Sequence, residues 1–204
     1  MPALVRPYGG WWAEPREAQV GRRPVLYVIA SGAAPARDLP ALIAALTADW
    51  DTCVITTPEG SRFFDIARVT ELTGHPVRSS FKDPEAPDVL PSASAFAAAP
   101  ATFNTINKWA AGISDTLALG LLNEATGLGL PIVTVPWPNV ALARHPAFGR
   151  SVATLRGCGI RVIFDPRHLP DDEGPGQAEF PWGELRAELA RMRTALTGGK
   201  QAPA

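Results

Sequence analysis

Residues 97–115 read AAAPATFNTINKWAAGISD, and this segment determines the predicted fold. A run of small residues ends at Pro100, and the polar side chains of Thr102, Asn104 and Thr105 follow it directly. The pattern predicts a buried strand that leads through a polar turn into a helix. In parallel α/β sheets, ligands bind beyond the carboxyl ends of the strands. The polar residues after this strand are therefore candidates for ligand contacts.

The same alternation of strand and helix extends outward from this segment in both directions. Strands are predicted at residues 25–30, 52–57, 93–99, 132–137 and 161–164. Helices are predicted after Asp38 and at residues 61–72, 104–124, 145–155 and 182–196. This order predicts an α/β domain in which a parallel sheet carries helices on both faces.

Composition limits the function classes. The 204 residues are 46% hydrophobic and 19% charged with a formal net charge of -1, which argues against a nucleic-acid binder. No apolar stretch of membrane-spanning length and no signal peptide is found, so we expect a cytoplasmic protein with no membrane partner. Cys53 and Cys158 have no metal-ligand spacing, and we predict no metal site. We expect one domain at residues 24–197, with tails at 1–23 (including Trp11 and Trp12) and 198–204.

The predicted strands end in four short loops that carry small, hydroxyl and amide side chains. The loops are residues 31–34, 57–61, 99–104 and 136–139. They supply no carboxylate pair, histidine cluster or Ser/His/Asp set, which favours a phosphate-bearing cofactor over a hydrolytic site. Small residues ahead of a helix N-terminus suit a phosphate. The loop 31–34 has no complete phosphate-binding motif, however, and an ordinary strand-to-helix turn also explains it.

The segment APATFNT at residues 99–105, followed by Lys108, Ala110, Gly112 and Asp115, resembles a known family motif. It is similar to the PASANT motif of the homo-oligomeric flavin-containing cysteine decarboxylases. That family includes phosphopantothenoylcysteine decarboxylase and the lantibiotic peptide decarboxylases.

The second family motif, P-x-M-N-x-x-M-W, is only partly present. Residues 136–139 keep the Pro and the Asn, while Pro138 and Leu142 replace the two methionines. Residues 145–148 resemble the helix start that follows this motif. The resemblance covers about residues 24–165.

The resemblance implies a flavodoxin-like, doubly wound (Rossmann-like) domain that binds FMN at a subunit boundary in a homotrimer or dodecamer. By position, the resemblance assigns three groups of residues to the cofactor. Ser31, Gly32 and Ala33 would contact the phosphate, and Glu59, Gly60 and Ser61 would form a second contact loop. Ala99, Pro100, Ala101 and Thr102 would lie along the flavin edge. Trp137 falls at a flavin-contacting position, where it stacks on the flavin or fills substrate space. Asn104 and Asn139, the catalytic candidates, would lie near the flavin and a substrate carboxylate.

One feature of these decarboxylases is missing. The family carries a histidine about fourteen residues before the motif proline, and here that position is Ala86. His75 or Asp88 is a candidate substitute. The segment that corresponds to the family's substrate clamp also lacks a cysteine.

Three hypotheses therefore stay open. The first is an FMN-binding lyase or oxidoreductase with divergent decarboxylase chemistry on a small-molecule or peptide carboxylate, or with the family activity retained through a substitute residue. The second is a non-catalytic subunit of the same fold, with structural or regulatory function. The third is an α/β protein that binds no flavin.

Overall fold

Five parallel strands form the central sheet of the computed structural model, which describes residues 23–83, 85–170 and 179–198. The strands are β1 (Val25–Ala30), β2 (Asp51–Thr56), β3 (Ala95–Ala101), β4 (Ile132–Pro136) and β5 (Arg161–Val162). Their spatial order is β2-β1-β3-β4-β5. Strand order therefore reverses between β1 and β3, which is the flavodoxin-like arrangement.

Helices cover both faces of the sheet. They are α1 (Leu39–Leu46), α2 (Ile66–Thr73), α3 (Phe103–Ala110), α4 (Leu117–Gly127), α5 (Val140–Ala143), α6 (Pro146–Gly157) and α7 (Trp182–Gly198). Short 3-10 turns occupy Ala34–Asp38, Gly60–Arg62 and Pro166–His168. Buried residues of α1, α2 and α7 form the core on one face, and those of α3, α4 and α6 form the core on the other. The predicted doubly wound α/β fold is confirmed.

Alternation along each strand divides its side chains between the two cores. Leu26 and Val28 of β1 pack on the α1 side, whereas Tyr27 and Ile29 pack on the α3 side. Both sets are apolar because helices cover both faces of the sheet. Cys53 in β2 is likewise buried, and burial raises the pKa of its thiol to about 12. The thiol is therefore a core group rather than a reactive one.

The prediction of a single long helix at residues 104–124 is wrong, because the structure has two helices there, α3 and α4. The backbone N–H of Gly112 donates to Trp109 O (2.9 Å), and that of Ile113 donates to Lys108 O (2.9 Å). These two bonds end α3 in a Schellman motif, which Gly112 permits with its φ of 71°. Thr116 then begins α4, and its side chain accepts a hydrogen bond from Leu119 N (3.3 Å). Glycine and a capping threonine outweigh the continuous helical pattern.

The short helix α5 was not predicted, and the other differences concern the ends of elements. β3 runs two residues further than predicted, so Ala99, Pro100 and Ala101 belong to the strand itself. The predicted helix at 61–72 is a 3-10 turn followed by α2, with Asp65 at the N-cap accepting from Arg68 N (3.1 Å). Trp11 and Trp12 lie outside the described residues. Within the described ranges, no helix has the length and apolar character needed to cross a bilayer.

Candidate functional site

A cleft of about 1250 Å³ opens at the carboxyl edge of the sheet, where the strand order reverses. Residues that follow β1, β2, β3 and β4 line it, together with residues at the start of α4 and α7. Ligands bind at this place in doubly wound sheets because two neighbouring connections leave the sheet in opposite directions. The cleft is therefore the candidate functional site.

Hydrogen bonds hold the loops after β1, β2 and β3 together below the cleft. Ser31 N donates to Pro100 O (2.9 Å), and Thr57 N donates to Ala30 O (3.0 Å). Gly32 lies against the second loop so closely that a Cβ there would be 3.1 Å from Glu59 Cβ. The small residues in these loops thus allow backbone segments to approach one another.

Seven of the thirteen predicted site residues line the cleft. They are Gly32, Ala33, Glu59, Thr102, Asn104, Trp137 and Asn139. Ser31, Gly60, Ala99, Pro100 and Ala101 are buried behind the wall, and Ser61 is turned away, with its Oγ donating to Pro58 O (2.6 Å). The backbone N–H and the hydroxyl group of Ser31 both form hydrogen bonds within the protein, so neither is directed to the cleft.

The two asparagines differ in what they can offer a ligand. Asn139 is the N-cap of α5, and its Oδ1 accepts from Leu142 N (2.8 Å), which leaves the side-chain NH₂ as its ligand-facing group. Asn104 is exposed in the first turn of α3, and its side-chain carboxamide forms no hydrogen bond with any of the described residues. Both can therefore donate to an anionic or carbonyl oxygen in the cleft.

Three aromatic side chains, Trp137, Phe180 and Trp182, form what we call the aromatic wall. The Phe180 ring centroid lies 5.1 Å from that of Trp137 and 4.2 Å from that of Trp182. Phe180 is buried between the two indoles, so it fixes the start of α7 against the end of β4. The sequence analysis did not find Phe180 and Trp182. Their signal was two aromatic residues where a polar segment leads into the last helix.

Charges in the cleft are mostly negative. The carboxylates of Asp38, Glu59 and Glu179 line it, together with one cation, Lys108. Lys108 Nζ lies 2.5 Å from Asp115 Oδ2, so an acidic partner already neutralises it. In the described part of the cleft, an anionic ligand would therefore be bound mainly by hydrogen bonds from N–H and hydroxyl groups.

Neither proposed substitute for the family histidine lies in the cleft of its own chain. His75 Nε2 lies 2.8 Å from Asp51 Oδ1. Since Asp51 begins β2, this pair is at the opposite, amino edge of the sheet. Asp88 is paired with Lys82 (2.9 Å). His145 caps α6, with Nδ1 accepting from Ala147 N (3.1 Å).

The fold and the cleft position define a flavodoxin-like class, and comparison with known proteins gives the family. The family model described as Flavoprotein matches residues 14–192, and the chain belongs to that family. The expected kinship with flavin-containing cysteine decarboxylases is thereby confirmed at the level of family and fold.

Individual relatives are more distant. A cysteine/cysteine sulfinic acid decarboxylase from an unknown prokaryotic organism is 40% identical over 65 residues, 32% of this chain and 17% of that protein. The match thus spans about a sixth of that relative's length. The FMN-dependent cysteine decarboxylase TvaF from thioviridamide biosynthesis is similar in structure, with a TM-score of 0.66 at 20% identity over 85% of this chain and 99% of TvaF. The FMN-binding protein AtHal3 has a TM-score of 0.66 at 20% identity over 89% of this chain and all (100%) of AtHal3.

Proposed function

We propose that the chain binds FMN in the cleft at the β1/β3 reversal. The observation that carries the proposal is a pair of unused amides in the loop after β1. The N–H groups of Gly32 and Ala34 donate to no acceptor among the described residues, and both residues line the cleft. Small side chains leave these amides accessible, which is how backbone groups hold a phosphate.

The remaining cleft residues suit the rest of this cofactor. Thr102 and Asn104 supply polar groups after β3, and the aromatic wall supplies an apolar surface in the same cleft. Since the cleft's one described cation is paired with Asp115, amides and hydroxyls rather than a lysine would hold the phosphate. The residues present therefore fit FMN.

Purified protein supplied with FMN should become yellow and retain the flavin through gel filtration. We expect one FMN per chain and much weaker retention of riboflavin, because riboflavin lacks the phosphate that the amides would bind. Light scattering on the same sample tests the proposed assembly into a trimer or dodecamer. Protein that stays colourless after incubation with excess FMN would contradict the proposal.

We further propose a substrate with a cysteine-type carboxylate, either a small molecule or a peptide. When bound, FMN would accept the two electrons of thiol oxidation, the step that precedes loss of CO₂. The chain's own part would be to hold the carboxylate through the side-chain NH₂ groups of Asn104 and Asn139. A non-catalytic role is the second candidate, because no described histidine side chain lines the cleft.

Asn104→Asp should raise KM for a peptide ending in cysteine by about tenfold or more. The change places a carboxylate where the substrate carboxylate would bind, so repulsion replaces a charge-assisted hydrogen bond worth about 1.5–3 kcal/mol. Ser80→Asp adds the same charge at an exposed position away from the cleft and is the control. Release of CO₂ is the measurement. Equal KM values in both variants would exclude the role of Asn104, and no turnover by the FMN-loaded wild type would favour the non-catalytic candidate.

A further inference from the structure

The negative charge of the cleft is only partly balanced by cations of the protein. Glu59 Oε2 lies 3.2 Å from Arg62 Nη1, so this carboxylate has a cationic partner at the surface. Asp38 and Glu179 also line the cleft, and neither forms an ion pair with any described residue. Lys108 is already neutralised by its own acidic partner. Two carboxylates are therefore left to interact with the charge of a ligand.

One of these carboxylates belongs to the same side of the cleft as the aromatic wall. Glu179 is exposed and directly precedes Phe180 in the sequence, and both residues line the cleft. Trp137 and Trp182 line it as well, and both are half-buried. The Nε1 atom of Trp182 is buried without a hydrogen-bond partner among the described residues, so the indole surface that this residue presents to the cleft is carbon.

Aromatic rings beside a carboxylate are suited to binding an organic cation. The negative face of an indole attracts an ammonium or guanidinium group, and the attraction is stronger where water is excluded. A neutral apolar ligand would cover the rings but leave the charge of Glu179 without a counter-charge. An anionic ligand would be repelled by the same carboxylate. The chemistry of this side of the cleft therefore favours a positively charged group.

The aromatic wall lies away from the amides that are proposed to hold the FMN phosphate. Those amides follow β1, whereas Trp137 follows β4, and β3 lies between the two strands. Neighbouring strands are about 4.8 Å apart, so the two places are separated by about 10 Å along the sheet edge. The cleft volume of about 1250 Å³ also exceeds the roughly 300–1,000 Å³ of a common small-molecule pocket. The β4 side therefore has room for a second ligand beside the cofactor.

We propose that Glu179 and the aromatic wall bind a positively charged side chain of the substrate. The substrate would be a peptide that has an arginine close to its terminal carboxylate. Arginine suits the site because its planar guanidinium stacks on aromatic rings and keeps its charge at any working pH. The inference rests on the proposed function, since it specifies the substrate class of the same cleft. It adds that neutral peptides bind more weakly and that acidic or phosphorylated compounds are rejected.

Peptides that end in serine instead of cysteine test the inference without turnover, because they keep the carboxylate and lack the thiol. Each acetylated peptide carries arginine, citrulline or glutamate at one of the three positions before the terminal serine. Citrulline has nearly the shape of arginine but no charge. Calorimetric titration of the FMN-loaded protein gives the Kd. We expect the best arginine peptide to bind about five- to twentyfold more tightly than its citrulline counterpart, and the glutamate peptide to bind most weakly.

Two variants test the residues that carry the inference. Glu179→Gln removes the charge and Trp182→Leu removes the ring, and each should reduce the preference for arginine over citrulline by about threefold or more. Glu179 is exposed, so its variant keeps the test valid if Trp182→Leu fails to fold. Glu71→Gln is the matched control, because it removes the same charge at an exposed position on α2 outside the cleft. It should keep the wild-type preference.

Equal Kd values for the arginine and citrulline peptides, or no binding by any peptide, would overturn the inference. A preference for arginine that Glu179→Gln leaves unchanged would also overturn it. The same titrations without FMN separate this inference from the proposed cofactor. Protein that prefers arginine peptides but binds no FMN would contradict the proposed function and leave the cation site standing. Protein that binds FMN without a preference among the peptides would do the reverse.

Discussion

Gly60→Ala should lower the free energy of unfolding by about 3 kcal/mol, at the upper end of overpacking effects. Gly60 is a buried residue of the second loop, and a Cβ there would be 2.6 Å from Ala30 O and would overlap Thr56 Oγ1. Thr56 Oγ1 donates to that same carbonyl (3.1 Å), so the added methyl group would separate a hydrogen-bonded pair. The backbone of the loop would have to move away from β1.

The same movement should weaken FMN binding by more than tenfold, because it displaces the two loops that bring Gly32 and Glu59 to the cleft. Thermal unfolding should show a decrease in Tm on the order of 10 °C for a domain of this size. Gly149→Ala is the control, since Gly149 lies exposed within α6 and a Cβ there meets no atom within 4 Å. That variant should be unchanged or slightly more stable. A Gly60→Ala protein with wild-type Tm would show that the loop accommodates the methyl group.

Phe180→Ala should be the most destabilising change in the cleft, costing about 3–5 kcal/mol. Its ring is 6% exposed and lies between the indoles of Trp137 and Trp182. Removing it leaves a cavity and lets both tryptophans move, so we expect shifted tryptophan fluorescence and weaker binding of FMN and peptide. Phe180→Leu fills most of the space and should recover most of the stability.

Phe96→Ala is the control that distinguishes a loss of stability from a loss of FMN binding. Phe96 is buried in β3 to a similar degree, at 3% exposure, but packs against Tyr27 on the α3 side and does not line the cleft. It should lose comparable stability and, in its folded form, keep the wild-type Kd for FMN. If Phe180→Ala and Phe96→Ala bind FMN equally well, the aromatic wall is a packing feature without a role in binding.

The sequence predicted the order of strands and helices because short apolar runs such as VLYVIA alternate with amphipathic segments and with clear turn residues. It also located the cleft, since the carboxyl ends of parallel strands share one edge of a sheet. The break between α3 and α4 was missed, although Gly112 and Thr116 signal it. The helical pattern continues on both sides of those residues, and a capping glycine competes with that pattern only locally.

Side-chain direction was less predictable than position along the chain. Ser31 follows β1 as a ligand-contacting residue would, yet its hydroxyl is directed to Thr105, 74 residues later in sequence. Phe180 and Trp182 were missed because the contact that brings them to the cleft, between Phe180 and Trp137, joins distant segments. Such contacts depend on how the crossover connections bring the loops together, and the spacing of residues along the sequence does not predict this.

The two sides of the cleft come from different parts of the chain. The loops that follow β1, β2 and β3 lie within residues 31–105, whereas the aromatic wall lies within residues 137–182. Mutations in the later segment can reshape one wall while the earlier segment stays intact. Relatives of this chain can therefore keep one wall of the cleft while the other changes, and the two walls can evolve at separate rates.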